Sequence, residues 1–272
     1  MSYFSELWRT RELLANLILR EVKGQYRRTV LGQFWSLLNP IATMLVYTVV
    51  FSIIFRSQPD EGDPSGLDIY PLWLMCGLLP WMYFSRVVNG GLNSMVSNSN
   101  LIKKVYFPRM HLPFSVMSSV GITWGIEIGV LTLALWIFGG FPIPWLPLVA
   151  LTMGLLALFA VGVAMMLAIL NVHFRDTQHF TTIVLQMWMY LTPIIYPISL
   201  VERAAADLGE WVLFVYRLNP MEHFVAVFRN LLYDNRLPAL DDTLWIFGSA
   251  GILFAAGYLV FSRNEKRLAE LL

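Results

Sequence analysis

Charge is scarce in this sequence. Of 272 residues only 14% are Asp, Glu, Lys or Arg and 57% are hydrophobic, with a mean hydropathy of +0.60. That balance leaves too little polar surface to cover a water-soluble globule, so the chain reads as an integral membrane protein. An excess of positive charge is also missing: the net charge is +1, whereas a nucleic-acid partner needs a dense basic field. Cysteine occurs once, at Cys76, which excludes an intrachain disulfide. No G-x-x-x-x-G-K-[ST] run is present, so no nucleotide hydrolysis through a phosphate loop is expected here. The four histidines, His111, His173, His179 and His223, show no His-Glu-x-x-His spacing, and a lone cysteine cannot form Cys-x-x-Cys. On spacing, no metal site is expected. The long apolar segments hold one acid, Glu127, and one base, Arg86. An intramembrane protease would need paired aspartates or a nucleophile with its base, so no catalytic residues are expected and the chain does not read as an enzyme.

What is present is long apolar runs. A helix needs roughly 20 apolar residues to cross the hydrocarbon core, and six segments qualify: Phe34 to Phe55, Tyr70 to Leu92, His111 to Phe138, Trp145 to Leu170, Thr177 to Tyr196 and Thr243 to Phe261. The expected fold is all-α. It has six transmembrane helices, preceded by an amphipathic segment (residues 1–33) and completed by a six-span body (34–272). With the N-terminus placed in the cytoplasm, thirteen of the nineteen Lys and Arg fall on that side, and the positive-inside rule then puts both termini there. The segment before the first span is too long and too polar for the basic flank of a signal peptide, so the N-terminus is expected to be retained. In Tyr3 to Gln25, Leu7, Leu14, Leu17 and Ile18 alternate with charges at helical spacing, the pattern of a helix lying in the membrane interface. A soluble partner packed on that face is the alternative. Pro197 to Asp242 is too charged to cross and too apolar for a free loop; it is expected to form an outer re-entrant hairpin, with Asn219-Pro220-Met221-Glu222 as a helix-capping box.

Four features stand out against this frame. The basic stretch "SNSNLIKKVYFPRMHLP" follows the second span on the cytoplasmic side. Its Leu101, Ile102, Val105 and Tyr106 fall on one face of a short helix, with Lys103 and Lys104 on another. Such a helix either docks in a partner's groove or rests on lipid headgroups. Span three carries Gly121, Gly125 and Gly129, a doubled G-x-x-x-G that permits close helix approach. Glu127 and Arg86 are intramembrane charges and so functional candidates by default. They are expected at different depths and unpaired, with snorkelling as the alternative for Arg86. Tyr47, Phe51 and Phe55 on span one, and Trp188, Thr192 and Tyr196 on span five, form stripes suited to sliding contact with sugar rings, or else belong to the aromatic belts of the interfaces.

Across nearly the whole chain, the blocks "YRRTVLGQFWSLLNP", "GLLPWMYFSRVVNGGLNSMVSNSNLIKKVYFPR", "NVHFRDTQHF", "YLTPIIYPISLV" and "YRLNPMEHFVAVFRNLL" resemble the membrane subunits of ABC exporters for lipid-linked polysaccharide, the O-antigen, capsule and teichoic-acid exporters. The resemblance implies a homodimer in the bacterial cytoplasmic membrane and two separate ATPase subunits. Those subunits bind the ATP and Mg; this chain is expected to hold no cofactor. It also implies that Asn98, Asn100, Leu101, Ile102, Lys103, Lys104, Val105, Tyr106 and Arg109 belong to a coupling helix docking on the ATPase. Tyr26, Arg27, Arg28, Leu31, Gly32 and Trp35 would then stand at the cytoplasmic mouth, where Arg27 and Arg28 could attract a lipid diphosphate. The two aromatic stripes would line the pathway. A drug or lipid exporter, or a membrane-embedded glycan-processing enzyme, remains the alternative reading.

Overall fold

A computed structural model describes residues 10–25, 30, 32–56, 61–105 and 107–271. Among these residues all regular structure is helical. The helices are α1 (Arg11–Gln25), α2 (Trp35–Tyr47, continued by a π-helical segment Thr48–Ile54), α3 (Tyr70–Ser97), α4 (Ser99–Lys104), α5 (His111–Ile137), α6 (Leu146–His173), α7 (Thr177–Leu191), α8 (Ile198–Leu208), α9 (Trp211–Arg217), α10 (Pro220–Arg229) and α11 (Leu240–Leu271).

Among the described residues four helices are long and apolar enough to cross a membrane: Trp35–Ile54, His111–Ile137, Ile143–His173 and Leu240–Glu265. They match the expected first, third, fourth and sixth spans. The second, α3, has 28 residues, ample length at about 1.5 Å per residue. Its lower hydropathy comes from Ser85, Arg86, Asn89, Asn93 and Ser94. Several of these satisfy their polar groups on the helix itself: the Asn89, Asn93 and Ser94 side chains donate to the carbonyls of Ser85, Asn89 and Gly91. The expected fifth span stops short. α7 has 15 residues and ends at Leu191, because Thr192 precedes a proline and is extended (φ −102°, ψ 134°), as the clash with the proline ring requires.

The core is built around α3, which packs against α5 and α6, while the closest helix pair is α6 with α11. A Cβ on Gly162 would lie 2.5 Å from the Leu253 carbonyl oxygen, and one on Gly257 2.3 Å from the Gly162 carbonyl oxygen. The two backbones touch here, and only glycine permits it. The doubled G-x-x-x-G of α5 does not play this part. Cβ atoms on Gly125 and Gly129 would meet nothing within 4 Å, and the same helix exposes Ile122, Ile126, Val130 and Leu133, an apolar face left to lipid or a second chain.

α1 lies across the start of α5. Leu17 is buried there, and Thr10 Oγ1 is 2.6 Å from His111 Nε2. The amphipathic pattern is therefore realised at least in part against the protein's own body. Tyr3 to Arg9 lie outside the described residues.

Candidate docking element and membrane pathway

The end of α3 turns at Asn98 straight into α4. Asn98 Nδ2 donates to the Ser94 carbonyl (2.8 Å), and its Oδ1 accepts from Arg20 of α1. One side chain thus joins interface helix, span and short helix. α4 divides its residues differently from the expected single apolar face. Ile102 points inward, 7% exposed, into a cluster with Leu17, Met95, Met110, Met165 and Phe261, and Leu101 packs at its edge. Asn100, Lys103, Lys104 and Val105 face outward, with Arg109 half-buried; Tyr106 lies outside the described residues. The physical reason is the attachment at both ends: a six-residue helix pinned between α3 and α5 must turn one side to its own chain. What it offers a partner is two lysines, an amide and one valine.

At the N-terminal end of α2, Gly32 has φ +51°, a left-handed turn that suits glycine, and Trp35 is 48% exposed. Tyr26, Arg27, Arg28 and Leu31 lie outside the described residues. Trp35, Ser36, Leu38, Asn39 and Ala42 line one side of a cavity of about 590 Å³ whose other wall includes Arg86. Arg86 is not alone. Its Nη1 donates to Glu127 Oε1 at 2.7 Å, the acid side chain being 1% exposed, which corrects the expectation that the two are unpaired. α3 and α5 run antiparallel, with Gly90 against Val116 and Tyr83 stacked on Trp124, so Arg86 and Glu127 are offset along the helix axes. An extended arginine bridges that offset. A buried acid without its cation is costly, so Arg86 is held by Glu127 while still facing the cavity. Glu127 Oε2 has no hydrogen-bond partner.

The two aromatic stripes separate. On α2 and its continuation, Tyr47, Phe51 and Phe55 form a ladder (centroids 6.2 and 5.7 Å), with Phe55 68% exposed. On the other side Trp188 is packed between Trp81 and Phe84 and donates Nε1–H to Asn219 Oδ1 at 2.8 Å. Thr192 is fully buried and accepts from Asn219 Nδ2 at 2.9 Å, and the Tyr196 hydroxyl donates to the Tyr190 carbonyl. Trp188 and Thr192 are therefore anchors for the N-cap of α10 rather than an open sliding surface. Asn219 caps as expected, accepting from Met221 N at 3.1 Å.

The segment after α7 is more deeply held than an amphipathic hairpin requires. In α10 and its continuation, Phe224, Phe228, Leu231 and Leu232 are buried, and so are Glu222 and His223. Arg229 lies 3.5 Å over the Trp73 ring and donates to the carbonyls of Pro193 (2.8 Å) and Ile194 (2.7 Å). Those carbonyls are freed where α7 breaks, so the arginine satisfies a helix end at the wall of a cavity. Tyr233, buried, ties Leu67 O and Ile69 N to the same body. Burial pushes the Glu222 carboxyl up to about 7, against the pull of His223. Burial disfavours charge on His223, but hydrogen bonds to Asp242 and the Arg217 carbonyl outweigh it and raise its pKa.

These elements share one chain: the amphipathic α1, a short exposed basic helix between α3 and α5, a loosely held α2, and the helices after α7 set into the body. Residues 12–233 match the family model of the ABC-2 type transporter membrane component. The chain belongs to the ABC-2 type transporter family. Within that family it is 29% identical over 265 residues to the O-antigen export system permease protein RfbA of Myxococcus xanthus, covering 97% of both chains. It is 27% identical over 265 residues to the RfbA permease of Klebsiella pneumoniae (96% of this chain, 95% of that one). The polysialic acid transport protein KpsM of Escherichia coli is 24% identical over 218 residues, 78% of each chain. As an ABC-2 transporter family member, the chain has its matched region running from α1 to the π-helical continuation of α10. The match therefore takes in α4, span one and the buried α10 alike.

Proposed function

We propose that this chain is the permease subunit of an ATP-driven exporter that moves polyprenyl-diphosphate-linked cell-surface polysaccharide across the bacterial cytoplasmic membrane. The observation that carries the reading is the end-to-end similarity to O-antigen export permeases joined to a short basic helix turned outward between α3 and α5. Two copies pair in a six-span arrangement with both termini cytoplasmic, and two ATPase subunits hold ATP and Mg. Lys103, Lys104, Asn100 and Val105 meet the ATPase; Arg109 borders that contact, and Ile102 carries its movement inward. Trp35, Asn39 and Arg86 flank the entry, where a cationic guanidinium favours an anionic lipid headgroup, and Arg27 and Arg28 extend that field. The Tyr47, Phe51 and Phe55 ladder is the face past which the sugar chain slides.

The test is the purified complex of this chain with its ATPase, in membranes with and without lipid-linked glycan. Lys103→Glu with Val105→Asp is expected to lose assembly or coupled ATP hydrolysis, while wild type responds to glycan. An intact complex indifferent to both changes would remove α4 as the coupling element, and a wild type that responds to drugs or lipids instead of glycan would overturn the substrate.

A further inference from the structure

On the outer side, where α9 leads into α10 and meets the start of α11, three side chains converge. Asp242 Oδ1 lies 2.7 Å from His223 Nδ1, and Glu222 Oε2 lies 3.4 Å from the same nitrogen. The three ligand atoms fall within 4.8 Å of one another. The other ring nitrogen, Nε2, is 2.8 Å from the Arg217 carbonyl oxygen. A carbonyl can only accept, so Nε2 carries the hydrogen, and the Nδ1 position faces two carboxylates. Trp245 stacks on the ring (5.3 Å, 8°) and fixes its plane. Glu222 is 9% exposed, and its Oε2 is buried without a hydrogen-bond partner. Three acceptors thus share one point, with Arg217 and Arg229 elsewhere on the same cavity wall, and a cation or a proton between them would offset their repulsion.

We infer that Glu222, His223 and Asp242 form a site for a divalent cation of the zinc class. One imidazole and two carboxylates are the nitrogen and oxygen donors such ions take at about 2.0–2.2 Å, and a histidine that donates its second N–H to a backbone carbonyl is the usual supporting arrangement. Tetrahedral coordination asks for ligand atoms about 3.4 Å apart. The Glu222 to His223 separation already meets this, and Asp242, partly exposed at the rim, reaches it by a small side-chain rotation. A fourth position opens toward the acidic cavity of about 490 Å³ bordered by Glu202 and Asp241, where water completes the shell. The ion would staple the outer hairpin to the start of the last helix. The competing occupant is a proton on Nδ1.

The test uses the full chain, purified with its ATPase partner, stripped with a chelator and titrated with Co2+ and then Zn2+. Wild type is expected to take up one Co2+ per chain, with the visible d–d absorption of a low-coordinate nitrogen and oxygen site, and to lose that band when Zn2+ displaces it. Glu222→Gln, which keeps the side-chain shape, and His223→Ala are expected to weaken binding at least about 100-fold. Glu202→Gln, in the same acidic cavity, is expected to leave it unchanged. Monodisperse wild type with no band at millimolar Co2+ would assign the point to a proton and overturn the proposal. So would uptake that survives Glu222→Gln, or falls equally with Glu202→Gln, since that marks diffuse attraction to an acidic surface.

Discussion

The first span and the α6–α11 pair stand in opposite relations to the rest of the molecule. Of the apolar window in Trp35–Ile54 only 6% is buried, against 50% in Ile143–His173. Lipid tails are as apolar as leucine, so helices in a bilayer are held by close packing and polar contacts rather than by exclusion from water. α6 and α11 have that packing at Gly162 and Gly257. Span one has an aromatic ladder, one proline (Pro40) and a π-helical turn, with Leu45, Val46, Val49, Ile53 and Ile54 turned outward. Span one touches the frame through Met44, Tyr47 and Phe51, so little of the packing within the frame depends on it. Its bare face also asks for lipid or a second copy.

The comparison breaks most sharply at the frame. Gly162→Leu or Gly257→Leu forces a side chain into backbone that cannot yield, and is expected to cost more than about 3 kcal/mol and to deplete folded chain from the membrane. Gly154→Ala, open around its Cα, should leave the yield unchanged; equal losses would mean the contact is not tight. Next is Arg86→Ala, which strands Glu127 and should lower the thermal midpoint by an amount equivalent to about 3–5 kcal/mol. Arg86→Met with Glu127→Leu should recover most of it, and failure to recover would give Arg86 a role beyond that pair. Arg229→Met removes two charge-assisted bonds to the Pro193 and Ile194 carbonyls, each worth about 1.5–3 kcal/mol. Proteolysis of the segment after α7 is expected to quicken before global melting shifts. Smallest in stability is span one: Val49→Ala or Ile53→Ala should change it by no more than about 0.5 kcal/mol. Cys76 is fully buried, so Val46→Cys is expected to supply the reactive thiol of the described residues. A cross-linked dimer in membranes would assign the bare face to a second copy, and its absence would leave that face to lipid.

Much of this could be read from the residues. Span one is found within one residue of its expected ends, and Asn219 caps as its spacing requires. The break after Leu191 follows from Pro193, although the apolar run read onward as a span because hydropathy averages over a proline. The Arg86–Glu127 pair was hidden by counting depth at Cα atoms and not at the end of a long side chain. The Glu222, His223 and Asp242 cluster escaped the spacing argument because the third member comes from another helix, 19 residues from the histidine. The glycines misled for a related reason. A repeated G-x-x-x-G is visible within α5, whereas Gly162 and Gly257 belong to no G-x-x-x-G run and lie on helices that meet only in three dimensions. On α4, periodicity grouped Ile102 with Val105, but attachment at both ends decides which of them faces the body.

That placement of Ile102 has a mechanical consequence. It shares one apolar cluster with Leu17 and Phe261, so a push on the six residues of Ser99–Lys104 is felt together by the first described helix and the last. A displacement of that short helix would therefore load, as one, two helices far apart in sequence.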